Sequence, residues 1–365
     1  MSGYSKLVKP ELLSQPVYQP GRPIEYVARE LGIDLRSIIK LASNENPLGS
    51  SPRGLAAGKA ALEEINLYPD SGCYELINAL AKRQGLQANQ LIVGNGSNEI
   101  LELIGHAFIG QGDEVVIGQG SFIVYKLVTL LFGGKVIEVP TKDYRHDLRA
   151  MLEAVSDRTK VVFLASQDNP SGSANANREI IELAESLPDS VLLVFDGAYS
   201  EYLDDPPDLS PLIAQGKRVF CTRTFSKIFG LAGLRIGYGF GDPELVALLN
   251  RVREPFNVNA VAQAAALASL EDGQWIEDCR KANLRERSKL EKQLQSLGIE
   301  YIESSANFVT ARLGDGVGAF EWMQKEGVIV RPLAPFGMRD GIPLSVGTEE
   351  ENERAIDSLN SYLNR

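Results

Sequence analysis

The sequence predicts an α/β protein in two unequal parts, a large unit built on a mostly parallel sheet sandwiched by helices and a smaller α+β unit. Three observations carry this. The chain has 365 residues, too many for one hydrophobic core. From about Gly54 to Asn250, short apolar runs alternate with segments of helical periodicity. After Asn250 the texture changes to a long helical zone, roughly 259–297, followed by a shorter mixed pattern.

The elements follow in order. Residues 1–45 are irregular and rich in turn formers, Tyr18-Gln-Pro-Gly-Arg-Pro23 and Ser43-Asn-Glu-Asn-Pro47, and read as an arm joining the small unit. Residues 46–250 form the large unit and 251–365 the small one. Gly54 to Ile65 and Tyr74 to Gln84 read as helices. Leu91 to Val93 is a short strand that ends at Gly94-Asn-Gly-Ser97 and leads into an apolar-periodic helix reaching Phe108. Glu114 to Ile117, Lys135 to Val139, Val161 to Leu164, Val191 to Phe195 and Arg218 to Cys221 read as further strands, with a helix from Phe122. Near-continuous apolar strands are those covered by helices on both faces. Ser and Asn at strand ends place the working edge at the carboxyl ends of the strands. In the small unit, Phe308 to Ala311 and Val328 to Val330 read as strands, and a last helix starts near Glu349.

Bulk properties narrow the function. A net charge of −11 argues against nucleic acid or an anionic membrane as main partner. No apolar stretch reaches the length of a membrane span, and the opening Met-Ser-Gly-Tyr-Ser-Lys lacks the apolar region of a signal peptide. Cys73, Cys221 and Cys279 are odd in number, far apart and without metal-ligand spacing, so a reduced, cytoplasmic setting is expected. With two histidines in the chain, a zinc site and a Ser-His-Asp triad are both poorly supplied. His106 reads as a packed residue on an apolar helix and His146 as a surface residue near a turn.

The chemistry concentrates at strand ends. Lys227 closes the run Thr222-Arg-Thr-Phe-Ser-Lys227 after a buried strand. A lysine that forms an imine needs an unprotonated amine, hence a desolvated, electropositive pocket. The hydroxyls of Thr222, Thr224 and Ser226, with Arg235 in Gly230-Leu-Ala-Gly-Leu-Arg235, suit a phosphate monoester. Gly94-Asn-Gly-Ser97-Asn98-Glu99 opens a helix whose free N–H groups suit an anion, although an ordinary N-cap explains it as well. Asp196, in Phe195-Asp-Gly-Ala-Tyr199, could keep a pyridine nitrogen protonated, which makes the ring the better electron sink. Tyr199, and Asn169 in Asp168-Asn-Pro-Ser-Gly172, could reach a ring hydroxyl, and Phe122 could stack on the ring. Taken singly, each piece also reads as turn chemistry or core. Their conjunction in one α/β unit supplies cradle, lid, pyridinium partner, imine lysine and phosphate cation.

The chain resembles the fold-type-I, pyridoxal-phosphate-dependent aminotransferases, and among them the histidinol-phosphate aminotransferase family of class II. Ser43-Asn-Glu-Asn-Pro-Leu-Gly49, Tyr68-Pro-Asp70, Gly94 to Glu99, Arg223 to Lys227, Leu231 to Arg235, Pro255-Phe-Asn-Val-Asn259 and Val346-Gly-Thr-Glu-Glu350 all match its pattern. The resemblance implies the aspartate-aminotransferase-like fold and amino-group transfer to a 2-oxo acid. It implies pyridoxal 5'-phosphate in a Schiff base on Lys227, with Asp196 at the ring nitrogen, Asn169 and Tyr199 at the ring hydroxyl and Phe122 stacked. Ser97, Asn98, Thr224, Ser226 and Arg235 would bind the phosphate. It also implies a homodimer, with Tyr68 reaching the neighbour's phosphate and Tyr18 its substrate pocket. Asn44, Arg331 and Arg339 complete the expected substrate set.

The chain departs from the family pattern at several points. Asp168 stands where Asn is usual, Gly197 follows Asp196 where an acidic residue is usual, and Gly120-Ser121 replaces a Pro before Phe122. Gly197 is expected to loosen the surroundings of Asp196. Pro343 occupies the place of an arginine that grips the substrate's phosphate or carboxylate, with Arg331 and Arg339 as the remaining candidates. These departures leave open a rebuilt pocket that uses the same cofactor for elimination, cyclisation or decarboxylation of a cationic or hydroxylated amino acid. A non-enzymatic scaffold would show a damaged cofactor set, and none is visible.

Overall fold

The computed structural model describes residues 3–13, 15, 17, 23–334 and 337–365. Seven strands form the main sheet: β1 (Leu91–Gly94), β2 (Glu114–Gly118), β3 (Lys135–Val139), β4 (Thr159–Ala165), β5 (Leu192–Asp196), β6 (Val219–Thr224) and β7 (Gly237–Phe240). Their spatial order is β1-β7-β6-β5-β4-β2-β3. β7 runs antiparallel to both of its neighbours, and the remaining pairs are parallel.

Alternation along the strands divides the core between two faces. Val116, Val162, Leu164, Leu193, Phe195 and Cys221 join one cluster, and Val115, Ile117, Val161, Phe163, Val194 and Phe220 join the other. Parallel strands point the same way, so the segments after β1, β2, β4, β5 and β6 gather along one edge.

A second, antiparallel sheet has the order β8-β9-β10, from β8 (Glu300–Ile302), β9 (Phe308–Arg312) and β10 (Gly341–Ser345). Helices Gly273–Ser296, Gly316–Lys325 and Glu349–Leu363 pack on it through Leu290, Leu294, Ala319, Met323, Ala355 and Leu359. Ile39–Lys40 pairs in parallel with Val328–Ile329, which ties the end of the N-terminal segment to this part of the molecule. Helix Ala260–Leu270 lies against helix Pro52–Ala61 so closely that a Cβ at Gly54 would stand 2.1 Å from Ser269 Oγ.

Three strands escape the sequence pattern. β7 reads Gly-Tyr-Gly-Phe, and glycines weaken a strand pattern. Here they are required, since a Cβ at Gly237 would lie 2.4 Å from Ser97 N and one at Gly239 would lie 2.4 Å from the Phe220 ring. β8 is short and mostly accessible, and β10 carries Pro343 in its interior, which argues against a strand. The two histidines exchange the positions expected of them. His106 is exposed beside Glu102, off the Ile100–Ile104 stripe of its helix, whereas His146 is buried at 5 % exposure at the end of a two-residue hairpin strand. Among the described residues no helix is long and apolar enough to cross a membrane.

Candidate active site

A cavity of about 440 Å³ opens at the carboxyl edge of the main sheet, roofed by Arg331, Leu333 and Pro343 from the second part of the molecule. Lys227, Asp196, Tyr199, Ser97, Asn98, Phe122, Asn169, Thr224, Ser226, Arg235, Asn44 and Arg331 all line it. Residues spread from position 44 to 331 therefore meet because their strands end side by side.

Asp196 is the last residue of β5, in register with Ala165 and Thr222 of the adjacent strands. Its carboxylate accepts from Tyr125 Oη at 2.8 Å, Thr222 Oγ1 at 3.1 Å and the Ala198 N–H at 3.1 Å. Burial pushes its pKa up, and these donors with Arg223 oppose that shift. Sequence reasoning missed Tyr125, whose only signal is its place three residues after Phe122 on an apolar helix. Thr222, expected among the phosphate hydroxyls, serves Asp196 instead.

Lys227 follows β6 and donates to the Ser43 carbonyl at 3.1 Å. Burial pulls its pKa down to about 8, assisted by the Arg235 charge and opposed by Glu45. Its Nζ lies 5.5 Å from the Tyr199 ring centroid. Tyr199 is buried, and its hydroxyl accepts from Asn44 Nδ2 at 3.1 Å and Asn169 Nδ2 at 3.2 Å. Burial raises its pKa, so the phenol keeps its proton and can donate. Asn44 is itself fixed by Ser345 and by Asn307, which bind its backbone N–H and carbonyl. Its φ of 53° is one that asparagine tolerates.

The opposite end of the cavity is shaped for an anion. Gly96, at φ 82°, is the N-cap of helix Ser97–Phe108, and no side chain caps that helix start. A Cβ there would stand 2.5 Å from Arg235 Nη2, so the guanidinium lies directly on the helix start. Glu99 turns away from the anion site to take the Asn95 N–H and Asn257 Nδ2. Thr224 and Ser226 add hydroxyls beside it, and Thr224 Oγ1 accepts the Ser226 N–H at 3.1 Å. Helix N–H groups, hydroxyls and a guanidinium fork fit a phosphate monoester.

Gly197 does not loosen the surroundings of Asp196. A Cβ at 197 would lie 1.8 Å from Arg223 Nη1, so the buried Arg223 guanidinium fills the space that a side chain there would need. Arg223 donates to the Thr222 carbonyl at 2.9 Å, stands 3.9 Å from Glu201 and faces the rings of Phe195 and Phe240.

Two expected residues lie away from the cavity. Tyr68 is 83 % exposed and stacks on Phe256 at 4.7 Å. Arg339 has an exposed side chain, and its carbonyl accepts the Gly316 N–H at 3.1 Å. Tyr18 falls outside the described residues. Pro343 is on the cavity wall, in register with Thr310 of β9.

Residues 36–359 match the family model for aminotransferase class I and II. The chain is 42 % identical to histidinol-phosphate aminotransferase 2 of Pseudomonas fluorescens, with 100 % of each chain covered. It is 45 % identical to histidinol-phosphate aminotransferase 2 of Nitrosospira multiformis, over 94 % of this chain and 88 % of that one. The crystal structure of histidinol-phosphate aminotransferase from Sinorhizobium meliloti in complex with pyridoxal-5'-phosphate superposes with a TM-score of 0.89 at 27 % identity, covering 100 % of this chain and 99 % of that one. Aspartate aminotransferase of Thermus thermophilus, at 24 % identity and a TM-score of 0.83, shares the fold.

Proposed function

Since the chain belongs to the class I and II aminotransferases, we propose that it moves the amino group of histidinol phosphate to a 2-oxo acid, with Lys227 as the catalytic base. The observation that carries the reading is the meeting of Lys227, Asp196, Tyr199 and the Gly96–Arg235 anion cradle in one cavity. The cofactor is pyridoxal 5'-phosphate, and the residues present fit it. A buried carboxylate, a buried phenol, a lysine with a depressed pKa and a helix start backed by arginine answer its ring nitrogen, hydroxyl, aldehyde and phosphate in turn. When bound, it supplies a protonated pyridine ring that withdraws the electron pair left at the substrate's Cα.

The residues do the rest. Asp196 would hold the proton on the ring nitrogen, and Tyr199 would donate to the ring oxygen while Asn169 fixes its direction. Phe122 would cover one face. Ser97, Asn98, Thr224, Ser226 and Arg235 would anchor the phosphate. Lys227 lines the same cavity, and the burial that depresses its pKa to about 8 would favour its neutral amine as a base. There it would take the proton from the substrate's Cα and deliver it to the carbon on the other side of the nitrogen. Arg331 faces the substrate's own anion, and Asn44 holds the cavity wall. The relatives named above are transaminases, which leaves elimination, cyclisation and decarboxylation without support.

The assembly is a homodimer in a cytoplasmic setting. Leu62, Ile65, Leu67 and Tyr68 are exposed in one short stretch, which suits a face covered by a second copy. Tyr68 would then reach the neighbour's phosphate, and Tyr18 the neighbour's substrate. The test is a half-reaction: holoenzyme mixed with histidinol phosphate, without oxo acid, is expected to yield stoichiometric pyridoxamine phosphate. Product formed without that species would sink the reading.

A further inference from the structure

The departures at Asp168 and at Ser121 prove to be one interaction. Ser121 Oγ donates to Asp168 Oδ1 at 3.2 Å, and both residues are buried, at 6 % and 4 % exposure. The other carboxylate oxygen accepts from Ser171 Oγ at 3.2 Å. His146, expected at the surface, completes the cluster, with its Nε2 3.5 Å from Asp168 Oδ1. Neither ring nitrogen has a hydrogen-bond partner among the described residues. The ring lies over Gly118, where a Cβ would stand 2.1 Å from Nδ1. Asn175 Nδ2 holds the His146 carbonyl at 2.9 Å.

The cluster joins three loops at the sheet edge. Ser121 precedes Phe122, which lines the cavity at the end of β2. Asp168 precedes Asn169, whose amide donates to Tyr199 Oη. His146 ends the hairpin that follows β3. A buried carboxyl group with two hydroxyl donors has room for a further polar partner, and buried polar groups without partners are costly. The imidazole stands beside it, with both ring nitrogens unpartnered among the described residues. The Asp168 charge in turn helps to keep Tyr199 protonated.

We propose that His146 is a positioning residue that pairs with Asp168 and thereby holds Phe122 and Asn169 against the cofactor. The inference rests on the cofactor placement given above.

A double-mutant cycle on holoenzyme tests it. His146→Leu is expected to release the cofactor about tenfold more readily, as for a lost charge-assisted contact. It is also expected to change the visible circular dichroism of the bound cofactor. In an Asp168→Asn background the same change should cost less than about twofold, because the carboxylate that the imidazole faces is gone. Equal losses in both backgrounds, or unchanged retention and dichroism in His146→Leu, would overturn the proposal. Should His146→Leu be insoluble, His146→Asn enters the same cycle. If neither variant is soluble in either background, His146 serves packing alone and the proposal falls. Borohydride trapping of cofactor on wild-type Lys227 keeps the two readings apart. Its failure refutes the site itself, whereas trapping without coupling refutes only the role of His146.

Discussion

Tyr125→Phe tests the environment of Asp196 through a residue that the structure alone brings forward. The hydroxyl makes the shortest of the three hydrogen bonds to the carboxylate, 2.8 Å against 3.1 Å for both others. Phenylalanine keeps the buried ring volume and the stacking on Phe163 at 4.9 Å, so packing is conserved. The change removes one hydrogen bond to a charged, buried acceptor, about 1.5–3 kcal/mol. That corresponds to roughly 10- to 150-fold in whatever equilibrium depends on the ionised carboxylate. Burial already raises the Asp196 pKa and the Tyr125 bond lowers it, so the variant's carboxylate accepts a proton at higher pH. The charge it would lend to the ring nitrogen is present above that pKa and is lost as pH falls through it. The acidic limb of kcat/KM should therefore move to higher pH, with a lower plateau. The assay is the pH profile of kcat/KM for wild type and variant, each saturated with cofactor. An unmoved acidic limb with kcat/KM within about twofold of wild type would refute the coupling.

Three further outcomes are expected. Burial places the Lys227 amine near 8 against 10.5 for a free lysine, so the folded protein without cofactor bears the full cost of that burial below pH 8 and sheds it as pH rises toward 10.5. The urea midpoint of the cofactor-free protein, relative to Lys227→Met, should rise across that window, and the rate of cofactor attachment should rise through about pH 8. Gly96→Ala puts a Cβ on Arg235 at a φ of 82°, and cofactor titration should show about tenfold weaker retention. Pro343→Arg adds a guanidinium to the cavity wall, and the KM for phosphate- or carboxylate-bearing substrates should fall about tenfold; an unchanged KM would show that the 343 side chain does not face the substrate.

Much of the fold could be read from the chain, because parallel strands covered on both faces leave continuous apolar runs, as at Val161–Leu164 and Val191–Phe195. Helix Tyr74–Gln84 and strand Lys135–Val139 appear with the limits expected of them. β7 was hidden because its glycines answer to neighbours distant in sequence, and β10 because a proline sits inside it. The residues that meet in the cavity were legible because strand–loop–helix junctions carry their own local signals, as at Gly94–Glu99 and Thr222–Lys227.

The amino-acid sequence by itself thus determined which residue types stand at the strand ends, and with them the class of chemistry. Tertiary structure alone decided which of them touch. Tyr125 and Thr222 both reach Asp196, Arg223 fills the space beside Gly197, and His146 and Ser121 meet at Asp168. Local pattern records turns and periodicity, which depend on near neighbours. Whether a buried charge finds its partner depends on the register and order of strands far apart in the chain, and that is settled only when the sheet forms.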